Sequence, residues 1–287
     1  MTMPQTLTIG AVLTAQELAE RLAETATQAL IDEARLSPKP GLVDSRSSGA
    51  HQDLTLDLMV RSARSLTSTF YLLALHSWQR PADIALRQEV GRLGRAGEAL
   101  MMAETGGVNT HRGAIWAMGL LVSAIAMQPE DLQPLHIAQR AAKIAALPDA
   151  FSPKKFSKGA HAVQRYQVPG AREEAQGAFP HILHCALPQL HHSRARGASE
   201  SEAQVDALLA VMARLSDTCV LSRGGLPALH AMHQGAQAVL DAGGMRTMAG
   251  KQLLRHLEHR MLADNTSPGG AADLLAATLF LDRVSVA

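Results

Sequence analysis

The chain of 287 residues is long enough for one large domain or two small ones, and its 47% apolar residues can fill a hydrophobic core. Lys and Arg together number 27 and Asp and Glu 26, so no excess of charge indicates binding to nucleic acid or to a membrane surface. Two cysteines do not form a disulfide framework, and the first ten residues lack the basic and apolar segments of a secretory signal, so we expect a cytoplasmic protein.

Helical periodicity runs through almost the whole chain, and it begins with apolar residues at four-residue steps between residues 15 and 36. A similar stripe over residues 54–78 predicts a second helix. The most apolar stretch, residues 114–127, would span only about 21 Å as a helix, short of the ~30 Å core of a bilayer. It therefore predicts a buried helix. Further helices are predicted over residues 82–103, 112–127, 132–146, 203–215, 226–242, 247–263 and 270–283.

Strand patterns are scarce, and aromatic residues make up only 3% of the chain. The sequence therefore predicts an all-α fold in which residues 1–14 form an N-terminal tail and residues 15–287 form a single helical domain. Residues 147–170, which contain several Pro, Gly and Lys, are expected to form a long loop. Residues 191–201 are expected to form a second surface loop.

Six polar segments that contain glycine lie between the predicted helices or at their ends. Helix ends carry unpaired backbone groups, and helix N-termini favour anions, so segments of this kind are candidate ligand sites. The segments are SPKPGLVD (37–44), GAHQD (49–53), GGVNTHRGA (106–114), GAREEAQG (170–177), DTCVLSRGG (217–225) and SPGGAADLLA (267–276).

The last segment has the clearest pattern. Ser267 can cap a helix, Pro268 suits its first turn, and Gly269 and Gly270 leave backbone amides open to a phosphate. Asp273 follows one turn later beside an apolar run, where a carboxylate needs a metal or a cation as partner. The alternative is an ordinary capped helix with a solvated carboxylate.

Several cations stand in comparable positions, although each alone is also typical of an ordinary helix end or solvated loop. Arg112 is expected to reach a phosphate from the first turn of a helix that Asn109 can cap, and Arg223 stands beside two glycines. Lys39 is held between two prolines as a donor, and the basic segment at residues 154–158 would form a lid. The candidate phosphate-binding residues are Lys39, Asn109, His111, Arg112, Lys158, Arg172, Arg223, Ser267, Gly269 and Gly270.

Acidic residues accompany these cations, and together they suit a polyphosphate with Mg²⁺, which prefers oxygen ligands. The candidate metal ligands are Asp53, Asp217 and Asp273. The candidate catalytic residues are Asp44, Asp53, His51 and Glu33. Which acid would act as base and which would bind metal is left open by the spacing.

The order of the six segments, with GGVNTHRGA extended to GGVNTHRGAIWAMG, resembles the triphosphoribosyl-dephospho-coenzyme A synthase family, from about Glu33 to the C-terminus. The resemblance implies an α-helical transferase that uses ATP and 3′-dephospho-CoA, releases adenine and forms 2′-(5″-triphosphoribosyl)-3′-dephospho-CoA. It also implies a single displacement with inversion at the ribose, a general base for the attacking hydroxyl, and Mg²⁺ on the triphosphate.

The family serves citrate lyase and malonate decarboxylase, and the Ala-rich body and motif forms resemble the malonate decarboxylase branch more closely. A downstream prosthetic-group transferase and an acyl-carrier subunit are the implied partners. Many members carry Thr or Asn at the position of Cys219, and Ser at the position of Ala271. These departures weaken a role for a hydroxyl at either position.

Two other classes of function are compatible with the same segments. A Mg²⁺-dependent nucleotide N-glycoside hydrolase would release the base without an acceptor. A non-enzymatic helical protein would bind a nucleotide or coenzyme A without turnover, but such a protein has little use for clustered acids and cations. The long apolar helices are also compatible with a homodimer interface.

Overall fold

The structure is a computed structural model, and it describes residues 13–152 and 158–285. The described residues form helices and no strand, which confirms the all-α prediction. The α-helices are α1 (Ala15–Arg35), α2 (Leu56–Ser65), α3 (Thr67–Ser77), α4 (Ile84–Glu104), α5 (Arg112–Met127), α6 (Pro134–Ala146), α7 (Lys158–Tyr166), α8 (Ala171–Gln176), α9 (Leu187–Ala195), α10 (Glu200–Met212), α11 (Thr218–Asp241), α12 (Met248–Ala263) and α13 (Gly269–Ser285). A π-helical turn, Ile182–Ala186, precedes α9, and a 3₁₀ turn, Gly244–Arg246, precedes α12.

Two helices, α5 and α13, lie at the centre of the fold. They pack against each other, α5 also contacts α3 and α6, and α13 also contacts α1 and α10. Leu121 of α5 and Phe280 of α13 are completely buried. No described helix is long and apolar enough to span a membrane. Most of the apolar residues of α5 are buried among other helices.

The structure differs from the predicted elements at several loops. The segment predicted as one helix over residues 54–78 is two helices that meet at the buried Leu66. The predicted loops at residues 147–170 and 191–201 contain α7 and the end of α9, respectively, and GAREEAQG forms α8. These helices have 6 to 9 residues, too few turns for periodicity to separate them from polar loops. The predicted tail falls mostly on residues 1–12, outside the described part of the chain.

The segment DTCVLSRGG is the beginning of α11, not a connection between helices. The helix is kinked at Gly225, whose backbone has φ +64°, two residues before Pro227. Proline lacks the backbone donor and clashes with the preceding turn, so a glycine in the left-handed region accommodates the break. The kink directly follows Arg223, which therefore lies on the last turn of the first half of α11.

The long connection between α1 and α2 folds back onto the start of α13. Gly41 has φ +72°, and a Cβ at this position would overlap the backbone oxygen of Thr266. Asp44 holds the turn, since its carboxylate accepts hydrogen bonds from the backbone amides of Lys39 and Arg46 at 3.1 and 2.7 Å. This connection carries Lys39 and His51 toward the N-termini of α11 and α13.

Candidate active site

Three acidic side chains converge where α1 ends and α11 and α13 begin. We call Glu33, Asp217 and Asp273 the acidic cluster. Burial raises the pKa of Asp273 well above its usual value, and the negative charges of Glu33 and Asp217 raise it further. Lys39 faces the cluster, with its Nζ 2.6 Å from Glu33 Oε1 and 2.5 Å from the Glu33 carbonyl oxygen. The site thus gathers more negative than positive charge in a water-poor environment, which is a common feature of functional sites.

Asp217 ties two helix N-termini together. Its Oδ1 accepts a hydrogen bond from the Cys219 amide at 2.8 Å in α11, and its Oδ2 accepts one from the Ala271 amide at 2.9 Å in α13. Burial raises the pKa of Asp217 despite these bonds, which favour the charged form. Both carboxylate oxygens of Asp217 thus serve as helix caps, and its role as a metal ligand stays a prediction.

The same interaction corrects the interpretation of SPGGAAD. The amides of α13 were expected to bind a phosphate and Ser267 to cap the helix, but Asp217 supplies the cap. Gly269 and Gly270 instead allow close helix contact, because a Cβ at either position would lie 3.1 Å from Cys219 Sγ or Asp217 Oδ2, respectively. The anion that this helix N-terminus favours is thus a carboxylate of the protein itself.

Asp273 lies against the first turn of α5. A Cβ at Gly113 would overlap Asp273 Oδ2, so only glycine permits this approach. The Ala114 backbone amide hydrogen-bonds to the carboxylate and lowers its pKa, although burial and like charge outweigh this effect. Gly113 is a functional position that the sequence analysis missed, and its glycine inside GGVNTHRGA was the available signal.

Three polar side chains lie beside the acidic cluster, and we call His51, Arg223 and Ser267 the polar triad. His51 Nε2 is 2.9 Å from Ser267 Oγ, and His51 Nδ1 is 3.3 Å from Arg223 Nη2. Because a guanidinium only donates, Nδ1 accepts and Nε2 carries the proton that it donates to Ser267. The hydroxyl proton of Ser267 is then free to donate to a ligand.

Burial and the neighbouring charge of Arg223 favour the neutral form of His51. Burial lowers the pKa of His51 below its usual value of about 6.5, and the adjacent Arg223 lowers it further. Asp53, whose Oδ1 is 3.8 Å from His51 Nδ1, raises the pKa of His51 through its negative charge. A neutral imidazole beside an exposed guanidinium is suited to accept a proton and to bind an anion.

Three other predicted roles do not fit the structure. Asp44 is buried, and its carboxylate accepts hydrogen bonds from Ser37, Arg46 and backbone amides, which outweigh the effect of burial and lower its pKa. It therefore organises the loop and is not a free base. Lys39 is 2% exposed and paired with Glu33, so it is not held out toward a phosphate.

His111 is likewise unsuited to the predicted contact with phosphate. Burial, and then the charge of Lys39, lowers its pKa to about 4. Its Nδ1 is 3.0 Å from Ser62 Oγ, and its buried Nε2 has no hydrogen-bond partner among the described residues. The side chain is an uncharged part of the core, which Ser62 links to Thr110.

The remaining candidate phosphate-binding residues lie away from the acidic cluster and the polar triad, or outside the described part of the chain. Asn109 accepts a hydrogen bond from the Arg112 amide at 3.2 Å, although His111 is the residue that directly precedes α5. Arg112 forms an ion pair with Glu98 of α4. Arg172 is exposed in the first turn of α8. Lys158 is the first residue of α7, and its side chain falls outside the described part of the chain, as does the segment predicted as a lid.

Comparisons with known proteins show the family to which the chain belongs. The family model described as ATP:dephospho-CoA triphosphoribosyl transferase matches residues 19–287. The chain is 69% identical to the 2-(5″-triphosphoribosyl)-3′-dephosphocoenzyme-A synthase of Klebsiella pneumoniae, over 92% of this chain and 94% of the relative. It is 57% identical to a probable synthase of the same name from Azotobacter vinelandii, over 93% and 92%, respectively. No solved structure matches the chain significantly.

The charge of the acidic cluster predicts that Asp273→Asn stabilises the protein at pH 7. Because the folded-state pKa of Asp273 is raised, its carboxyl costs stability above that pKa, and the cost disappears as pH falls toward 4. The neutral amide can still accept the Ala114 hydrogen bond. Thermal unfolding should give a higher Tm for the variant at pH 7 and a smaller difference at pH 4.5.

Asp282→Asn is the matched control on the same helix. Hydrogen bonds from Arg194 and His191 outweigh burial and lower the pKa of Asp282, so its carboxylate stabilises the fold above pH 4. The substitution should cost about 1 to 3 kcal/mol at pH 7. A comparable loss of Tm in both variants would show that the charge of Asp273 is compensated, contrary to the arrangement described.

Proposed function

The chain belongs to the ATP:dephospho-CoA triphosphoribosyl transferase family, and on that premise we propose that the acidic cluster and the polar triad form its catalytic centre. The reaction joins the triphosphoribosyl group of ATP to 3′-dephospho-CoA and releases adenine. The observation that carries this assignment is the convergence of the acidic cluster and the polar triad at the N-termini of α11 and α13, where Asp273 lies among like charges that raise its pKa further than burial alone.

The polar triad supports binding of the triphosphate. Arg223 is exposed, although its Nη1 also donates to the Ala50 carbonyl oxygen at 2.8 Å, which fixes the guanidinium. A guanidinium with several donors suits phosphate oxygens, and the buried Ser267 hydroxyl holds the His51 ring beside it. The Ala271 amide at the start of α13 is engaged by Asp217, so we assign phosphate recognition to side chains.

His51 is the best-placed general base for the hydroxyl of dephospho-CoA. It is neutral at pH 7, and its acceptor nitrogen Nδ1 makes only a 3.3 Å contact with Arg223, which a substrate hydroxyl can replace. Once Nδ1 takes the proton, the carboxylate of Asp53 favours the resulting imidazolium, because its charge raises the pKa of His51. Asp53 is therefore assigned to stabilising His51 and not to binding metal.

The acidic cluster fits Mg²⁺ better than any other part of the site. Among the described residues, no group of three or more His, Cys, Asp and Glu side chains is arranged to hold a metal alone. Mg²⁺ with a nucleotide, however, usually needs only one or two carboxylates plus the phosphates. Asp273 and Glu33 would hold the ion, which when bound neutralises charge on the triphosphate. Such an ion would also offset the repulsion that raises the pKa of Asp273.

The biological setting is part of the same proposal. The Ala-rich body and motif forms favour a role in making the prosthetic group of malonate decarboxylase over that of citrate lyase. The product would then pass, in the cytoplasm, to a transferase that attaches it to an acyl-carrier subunit. A homodimer is compatible with exposed apolar side chains such as Ile84, Leu135 and Met248.

Adenine release measured by chromatography tests the activity. With ATP and Mg²⁺, the purified protein should release adenine only when dephospho-CoA is added, in equal amount with a triphosphoribosylated product. Asp273→Asn should reduce this turnover at least a hundredfold while remaining folded, because a site for transition-state charge is lost. Asp282→Asn should keep near-normal turnover at a temperature where it is folded.

Two outcomes would contradict the proposal. Release of adenine without an acceptor would indicate the nucleotide N-glycoside hydrolase, and binding without release would indicate the non-enzymatic protein. Near-normal turnover of Asp273→Asn would remove Asp273 from the site.

The pH dependence of kcat/KM tests His51. The rate should fall as pH drops through the pKa of His51, which lies below about 6.5, because the protonated ring cannot accept the hydroxyl proton. His51→Gln should lower kcat about 10²- to 10⁴-fold and abolish this acidic limb. Retention of the limb in the variant would assign the base to another group.

A further inference from the structure

A groove with a positive rim lies on the other side of the first turns of α5. It runs between α4 and α5 and is bounded by the segment that follows α6, and its cavity measures about 200 Å³. We call it the α4–α5 groove. Its lining includes Arg87, Gly94, Arg95, Arg112, Trp116 and Asp149.

The floor of the groove is apolar and aromatic. Ile115 and Leu120 line it, and the guanidinium carbon of Arg87 lies 5.4 Å from the centre of the Trp116 ring. The Trp116 indole is fixed by a 3.0 Å hydrogen bond to the Ala171 carbonyl oxygen. At Gly94, a Cβ would meet no described atom within 4 Å, so the wall of α4 is open there. The groove therefore accommodates an uncharged chain.

Positive charge exceeds negative charge around this floor. Arg87 and Arg95 share the carboxylate of Asp149, at 3.3 and 2.6 Å, and Arg112 pairs with Glu98. Three guanidinium groups thus face two carboxylates. Moreover, the buried Nε of Arg87 has no hydrogen-bond partner among the described residues. An anion at this rim would be favoured by charge and would compete with Asp149 for the guanidinium donors.

The groove and the proposed catalytic centre lie on two sides of the first turn of α5. Gly113 abuts Asp273, and its neighbour Arg112 lines the groove, so the two sites meet at the first turn of this helix. Trp116 and Gly119 follow Arg112 on one face of α5, and the stretch from Arg112 to Gly119 rises about 10 Å. A ligand that reached from Asp273 around this first turn would pass Arg112 and then Trp116.

We propose that the α4–α5 groove binds the arm of the acceptor substrate, with the diphosphate of dephospho-CoA at the arginine rim and its pantetheine chain along the apolar floor. This inference rests on the proposed function. The acceptor has this sequence of groups, a ribose, then two phosphates, then a long uncharged chain. ATP, by contrast, ends in its charged triphosphate and has no long uncharged chain to lie along the apolar floor.

Gly94→Leu tests the proposal, because the added side chain fills the groove from an open wall and replaces a helical glycine with a better helix former. The KM for dephospho-CoA should rise about tenfold or more, with the KM for ATP within twofold of the parent. Arg92→Leu is the control, since Arg92 is exposed on the same helix and does not line the groove. Circular dichroism should show both variants folded.

Inhibition by 4′-phosphopantetheine separates the two substrates in the parent enzyme. It should compete with dephospho-CoA and not with ATP, and Gly94→Leu should weaken it. An unchanged KM for dephospho-CoA in an active Gly94→Leu protein would overturn the groove assignment, and a raised KM for ATP alone would assign the groove to the donor. A parent protein without transferase activity would instead refute the proposed function on which the inference rests.

Discussion

The carboxylate of Asp217 is the interaction on which the arrangement of the site depends. It caps α11 through the amide of Cys219 and α13 through that of Ala271. Since each helix N-terminus carries unpaired donors and a positive dipole end, one buried carboxylate satisfies both. The two helices are thereby joined at their first turns, so that Asp273, Ser267 and Arg223 approach the same point. These amides therefore need no phosphate as a hydrogen-bond acceptor.

The acidic cluster destabilises the folded protein, and this destabilisation indicates a functional role. Buried charges are tolerated when they are paired, yet Lys39 is engaged by Glu33 and leaves Asp273 beside two carboxylates. The surrounding fold compensates with central helices whose apolar side chains are fully buried. Active sites commonly retain such local destabilisation, because a ligand or metal relieves it only when bound.

Periodicity in the sequence predicted the fold well where helices are long and one-sided. The bounds of α5 match, and α1, α12 and α13 differ by at most two residues at either end. Short helices such as α8 were predicted as loops, because six charged and small residues carry no recognisable period. The break at Leu66 was also missed, since the backbone stays in the helical region on both sides.

The residues of the site were predicted better than their roles. Sequence spacing placed acids at helix ends, but it could not show that Asp217 caps a helix 54 positions away. Lys39 and His111 are predicted to bind phosphate, because their sequence positions do not show that they are buried. Their burial depends on residues elsewhere in the chain, Glu33 and Ser62. The groove residues Arg87 and Arg95 belong to a helix without a motif, so only packing against Trp116 and Asp149 reveals them.

The most direct test of the central claim is a crystal structure of the protein with ATP and Mn²⁺ in place of Mg²⁺, recorded at the manganese absorption edge. Without dephospho-CoA, the proposed reaction does not consume the nucleotide. We expect an anomalous peak between Asp273 and Glu33 and the triphosphate at Arg223, with Asp217 still bound to both helices. A peak coordinated by Asp217, or a triphosphate on the amides of α13, would contradict this expectation.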